Sequence, residues 1–179
     1  MAVKDDEIIL GSGKLYLAEY DGKAIPEDAV IEAEANSVGR IKGGASLEYK
    51  PTEYEVVDDD GEVVKRFITK EEVTFKSGIL TWAIENLEKL SPAKVTDETL
   101  KSEKVLKIGG AKVLKNYVLR FTHPKDGDNK LRISMVATAG NGFVLTFAGD
   151  KETVIDAQFK AISQADGTLV EIRDGYKKV

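Results

Sequence analysis

The sequence predicts a mainly β domain: a β-sandwich or open barrel with one flanking α-helix and a long projecting β-hairpin. Three observations predict it. Short runs in which apolar and polar residues alternate recur along the chain, the period of strands with one buried face. Gly- and Asp-rich turns separate them, as at Asp21-Gly22, Gly109-Gly110 and Asp166-Gly167. A single stretch has helical periodicity instead. Many short strands plus one helix fit a sandwich or open barrel. At 179 residues the chain is long enough for a real core and is one domain by length, residues 1–179.

Taken in order, an apolar run at residues 8–10 leads through Gly11-Ser12-Gly13 into a strand over 14–20. Residues 23–36 carry no clear period and read as loop. A short strand over 37–41 follows, and Gly43-Gly44 permits a bend or bulge where the chain leaves the packed body. The hairpin arm spans 45–76. Leu47 and Tyr49 alternate with Glu48 and Lys50, residues 52–57 continue the extended run, and Asp58-Asp59-Asp60-Gly61 turns it. Gly61 accepts positive φ without steric cost. The return strand over 62–75 is fourteen residues long. At ~3.3 Å per residue it reaches about 45 Å, too far for a body of this size to cover, so part of the hairpin projects. A two-stranded arm without a core is marginal alone, which predicts that it rests on another chain.

The helix is predicted over 78–90, with Ser77 as N-cap and Pro92 ending it. Leu80, Ala83, Ile84 and Leu87 fall on one face and Glu85, Asn86, Glu88 and Lys89 on the other. Trp82 sits at the edge of the apolar stripe, placed to meet either the core or a neighbouring subunit. Residues 93–102 read as connector. Strands over 105–108 and 112–123 are joined by Gly109-Gly110, with Val113, Tyr117, Leu119 and Phe121 on one face and Asn116, Arg120 and Thr122 on the other, Val118 among them. A turn at 124–129 leads to a strand over 130–139, then an apolar run at 143–147, a strand over 154–161 and a closing strand over 168–172.

Chemistry is mostly excluded. With no cysteine there is neither disulfide nor thiolate chemistry, which suits a reducing cytoplasm. The single histidine, His123, precedes a proline and reads as a solvated turn residue rather than a general base. One His and no Cys cannot build a zinc site. Gly11-Ser12-Gly13-Lys14 lacks the earlier glycine of a phosphate loop, and Leu15 stands where Ser or Thr is required. A calcium loop around Gly61 would need an acid at Val56, and one from Asp126 would need glycine at Leu131. No Gly-x-Ser-x-Gly elbow is present, and no pair of carboxylates stands out for sugar hydrolysis. The sequence therefore predicts no enzyme, no cofactor and no metal. A net charge of −5 argues against a nucleic-acid reader. No segment approaches the ~20 apolar residues of a membrane span, and the charged residues 1–7 predict no secretory leader. The aromatics fall mostly at core-facing positions, which weighs against a carbohydrate-binding module.

The order of features resembles the major tail tube proteins of long-tailed bacteriophages, defective prophages and contractile particles. Three stretches carry the resemblance: Ile9-Leu10-Gly11-Ser12-Gly13-Lys14-Leu15-Tyr16; Gly39-Arg40-Ile41-Lys42-Gly43-Gly44-Ala45-Ser46-Leu47-Glu48-Tyr49-Lys50 before the long hairpin; and Thr146-Phe147-Ala148-Gly149-Asp150 onward to Phe159-Lys160-Ala161. The single helix behind the hairpin matches as well, and together these span most of the chain. The resemblance implies six copies in a ring, rings stacked into a tube, and DNA passing down the channel during ejection without specific binding. It implies as partners other copies of the chain, a tape measure protein and tail terminator or tip proteins, in the virion tail. Asp58, Asp59, Asp60 and Gly61 become candidates for contact between rings, against the plainer reading of a solvated turn. Glu48 and Glu72 become candidates to face the channel, on non-core faces that also carry Lys50, Lys70, Arg120 and Arg132; the net charge, rather than these residues, predicts acidic walls. A tube subunit of a contractile bacteriocin or secretion system, and a β-sandwich binding module, are the alternatives.

Overall fold

The computed structural model describes residues 11–110, 113–125, 129–140 and 142–175. Its fold is mainly β, as the sequence predicts. Seven strands form one antiparallel sheet in the order β1 (Lys14–Glu19), β6 (Tyr117–Pro124), β7 (Lys130–Thr138), β8 (Ile155–Ala161), β3 (Val63–Ile79) and β2 (Ile41–Val57), with β9 (Glu171–Asp174) also pairing β7. The sheet wraps around its own apolar face. β7 and β8 lie between β6 and β3, so a flat sheet would hold these strands ~14 Å apart. The rings of Phe75 on β3 and Phe121 on β6 nevertheless lie 5.7 Å centroid to centroid across the interior.

The core follows from strand alternation. Leu15 and Leu17, Phe75 and Ile79, Leu119 and Phe121, Met135 and Ala137, and Ile155, Ala157 and Phe159 all point to one buried cluster. α2 (Ile84–Lys89) adds Leu87, with Leu90 just beyond it, and Leu106 of the small separate hairpin β4 (Val95–Glu98) and β5 (Glu103–Leu106) packs against the same cluster. On the outer face of β1 and β6, Ile31 of the short helix α1 (Asp28–Ile31) meets Tyr16, Ala18 and Val118 in a second cluster.

Several elements differ from the sequence expectation. The chain expected to be helical from residue 78 is still strand at Ser77, Gly78 and Ile79, because β3 is paired there on both sides, with β2 and with β8. Two ladders outweigh a local capping signal. Ser77 is buried, and its hydroxyl donates to the Gly44 carbonyl rather than capping a helix. The helix is correspondingly short, begins at Ile84 without a side-chain cap, and buries Asn86, whose Nδ2 donates to the carbonyls of Val38 and Thr81. Residues 23–36 hold α1 and a 3₁₀ turn at 34–36 instead of unbroken loop. Strand β5 pairs β4 within the expected connector and not the strand after Gly109-Gly110. Val113, expected inward, is exposed. His123 is buried within β6, its Nδ1 2.8 Å from the Ser12 carbonyl, and is no solvated turn residue. The closing strand lies at 171–174 rather than 168–172. The expected run at 8–10, the first residue of the expected strand over 112–123 and part of the turn at 124–129 fall outside the described residues. The glycine bulge is where it was expected, as a register shift between Lys42 and Ala45.

Candidate assembly surface

β2 and β3 stay paired from Ile41↔Ile79 to Val57↔Val63, but β8 accompanies β3 only over residues 74–79. From Lys50↔Glu72 onward the two strands run alone, and residues 63–72 of β3 are all exposed. The ladder forms because the run is rich in β-branched and aromatic residues and its turn is strongly encoded. Asp58 Oδ1 accepts from the backbone N–H groups of Asp60 at 3.1 Å and Glu62 at 2.8 Å. Gly61 occupies the left-handed region at φ 85°, and its N–H donates to the Asp58 carbonyl. Asp58 is thus a turn former. Asp59, Asp60 and Glu62 make no ion pair among the described residues, and they present their charge to solvent.

Cross-strand pairing sorts the arm into two faces. Tyr49, Glu53, Glu55 and Val57 share one with Glu71, Ile68, Arg66 and Val63. There Tyr49 Oη donates to Glu71 and Arg66 Nε donates to Glu55 at 2.8 Å. The other face carries Thr52, Tyr54 and Val56 with Lys70, Phe67 and Lys65. Tyr54 and Phe67 are directly opposed, 61% and 46% exposed, and Lys65 Nζ lies 4.7 Å from the Phe67 ring centroid. Ile68, on the first face, is 57% exposed. Large apolar side chains standing on both faces of a solvated ribbon mark a surface that gains by being covered.

Glu48 and Glu72 lie on the Tyr54 face, nearer the body. Glu48 is opposite Thr74, and Glu72 is opposite Lys50 and ion-paired with Lys70 at 2.7 Å, which draws its carboxyl below the ordinary range. The same face continues over the body through Lys76, Lys160, Gln158 and Asp156. A wall made of this face is mixed in sign, with Lys50, Lys70, Lys76 and Lys160 beside Glu48, Glu72 and Asp156, rather than acidic.

In the seven-stranded sheet the outer edges of β2 and β9 carry no partner strand among the described residues. The outer edge of β1 is partly met by Ser37 and Val38, the Val38 N–H donating to the Leu15 carbonyl at 3.1 Å.

Two features escape the sequence reading. Trp82 and Phe147, from separate loops, stack edge to face at 6.3 Å while 56% and 74% exposed. With Tyr49, Tyr54 and Phe67 they are the exceptions to the expectation that the aromatics face mostly inward, which Tyr16, Phe75, Tyr117, Phe121 and Phe159 follow. The second is an ionic cluster that fastens α1 to the sheet. Arg120, its side chain 2% exposed, donates to Asp28 at 2.9 Å and Glu32 at 3.1 Å; Arg173 reaches Asp28, and Arg132 reaches Glu32 at 2.6 Å. Hydrogen bonding from Arg173, then Arg120, draws the Asp28 carboxyl down to about 2 against the opposing effect of burial.

Among the described residues no group of His, Asp or Glu is arranged to hold a metal, and no helix is long and apolar enough to cross a membrane. No family model matches the chain, and no curated protein matches it.

Proposed function

We propose that the protein is a structural subunit of a bacteriophage tail tube, assembling with copies of itself into rings that stack around a channel for DNA. The observation that carries this reading is the arm. Its ladder continues beyond the last strand able to support it, bears Tyr54, Phe67 and Ile68 in solvent, and ends in uncompensated acids. A free monomer gains nothing from exposing such a ribbon, whereas a repeated contact between copies covers it. The unpaired edges of β2 and β9 supply the lateral counterpart, since one copy's edge can extend its neighbour's sheet. On this reading the chain has no catalytic, cofactor or metal role. DNA passes without specific binding, and a tape measure protein and terminator or tip proteins complete the virion tail. The tube of a contractile bacteriocin or secretion system would use the same subunit architecture.

A second reading, a β-sandwich binding module, draws on the exposed Trp82–Phe147 pair, which has the form of an aromatic platform. Negative-stain microscopy of the purified chain at rising concentration separates the two. Rings or tubes of uniform width are the expected result; a monomer at every concentration overturns the tube and favours the module.

A further inference from the structure

Trp82 and Phe147 stand at one particular end of the molecule. Trp82 follows β3 by three residues, beyond the Ile41–Ile79 pair that closes the hairpin at its base. The loop bearing Phe147 is tied to the same end, since Lys42 is ion-paired with Glu152. Beside them Lys14, Arg40 and Thr81 line a shallow cavity of about 350 Å³ whose one acidic neighbour is Glu34. Neither Lys14 nor Arg40 has an ion-pair partner among the described residues. This end of the body therefore combines an uncovered aromatic pair with an excess of positive charge, Lys14 and Arg40 against Glu34. The opposite end of the same hairpin combines the uncovered Tyr54–Phe67 pair with the uncompensated Asp59, Asp60 and Glu62.

We infer that these two ends are complementary halves of one contact: the arm of each copy docks its Tyr54–Phe67 face on the Trp82–Phe147 end of another copy, with the acidic tip toward Arg40 and Lys14. The contact cannot close within one molecule. The two ends are separated by strands of 17 residues, on the order of 50 Å at ~3.3 Å per residue. Cross-strand pairing resumes after each of the three register shifts along the ribbon and keeps it from folding back. Complementary surfaces at opposite ends of a rigid unit make a heterologous contact, which repeats head to tail instead of closing as a two-fold dimer. Aromatic pairs on both sides supply the apolar area, and opposite charges set register and encounter.

This inference rests on the assembly reading above, and the test separates the two. Three full-length chains are compared by negative-stain microscopy and sedimentation: the natural one, Trp82→Ala/Phe147→Ala, and Tyr54→Ala/Phe67→Ala. All four rings are exposed, so both variants are expected to keep the circular dichroism and melting temperature of the natural chain. Each variant alone is expected to form rings but to need at least a ten-fold higher concentration for tubes. Mixed one to one, the intact arm of the first variant meets the intact receiving end of the second, giving two-layer species that grow no further. Charge reversal supplies a second arm: Arg40→Glu slows tube growth, and Asp59→Lys/Asp60→Lys in the same chain restores it. Tubes from Trp82→Ala/Phe147→Ala at the natural concentration overturn the inference while leaving the tube itself intact. So does loss of rings in that variant, which would put the aromatic pair on a lateral contact. A natural chain that stays monomeric overturns the assembly reading instead.

Discussion

Arg120 shows what a single enclosed charge requires. Its guanidinium projects from the outer face of β6 beneath α1, where water is excluded, and holds its charge through Asp28 and Glu32. Removing one carboxylate leaves the other to compensate, so Asp28→Ala is expected to cost about 2 kcal/mol rather than the full penalty of an orphaned buried charge. Urea titration measures it, and a change below about 0.5 kcal/mol would show that the cluster contributes little. The sign of the acid dependence follows from the same residue. Asp28 titrates at about 2 in the folded chain against an ordinary 3.8, so its contribution is complete above about pH 4 and is lost as pH falls toward 2. Because Asp28 is partly solvated, that contribution is on the order of 1 kcal/mol. Stability measured between pH 5 and pH 2 should fall more steeply in the natural chain than in Asp28→Asn. None of this is legible in the sequence, where Asp28 lies 92 residues from Arg120 and 145 from Arg173. His123 was misread for a different reason. Pro124 suggests a turn, but it ends a strand, where a missing N–H is tolerated, and the histidine before it stays in the ladder.

At the scale of elements, the hairpin was legible in its existence, its turn and its bulge at Gly43-Gly44, because each is encoded by neighbouring residues. The faces of its far half were not. Strict alternation along β3 places Phe67 on the side of Val73 and Phe75. The register shift between Thr52 and Glu53 leaves Thr69 unpaired and inverts that parity, so Phe67 emerges beside Tyr54 on the opposite face. One extra residue therefore decides whether an aromatic is read as core or as contact. The helix failed for a related reason: Ser77 carries a good local cap signal, but two paired strands hold it extended. A direct check on the arm is to replace residues 51–71 by Asn-Gly, closing the ladder at Lys50↔Glu72. The shortened chain is expected to keep its stability within about 1 kcal/mol, since the excised residues touch no core, and to make no tubes. Unfolding of this variant would show that the arm supports the body.

Over the whole molecule, the fold class was readable because the inward residues of β1, β6, β7 and β8 keep an unbroken period of two. Closure was not. The approach of Phe75 to Phe121 depends on how far the sheet coils, and the placing of β9 beside β7 rather than β8 depends on a hydrogen-bonding edge that β8 fills only at Ala137 and Thr138. The same architecture divides the backbone into two populations. Amides of β6 and β7 are screened by side chains on both faces, while those beyond Lys50 and Glu72 meet solvent all round. In the unassembled chain, deuterium should enter the far half of the hairpin orders of magnitude sooner than β6, by local fraying that leaves the rest intact. Tubes should abolish that gap, so the clock of about twenty amides reports polymerisation without any attached dye.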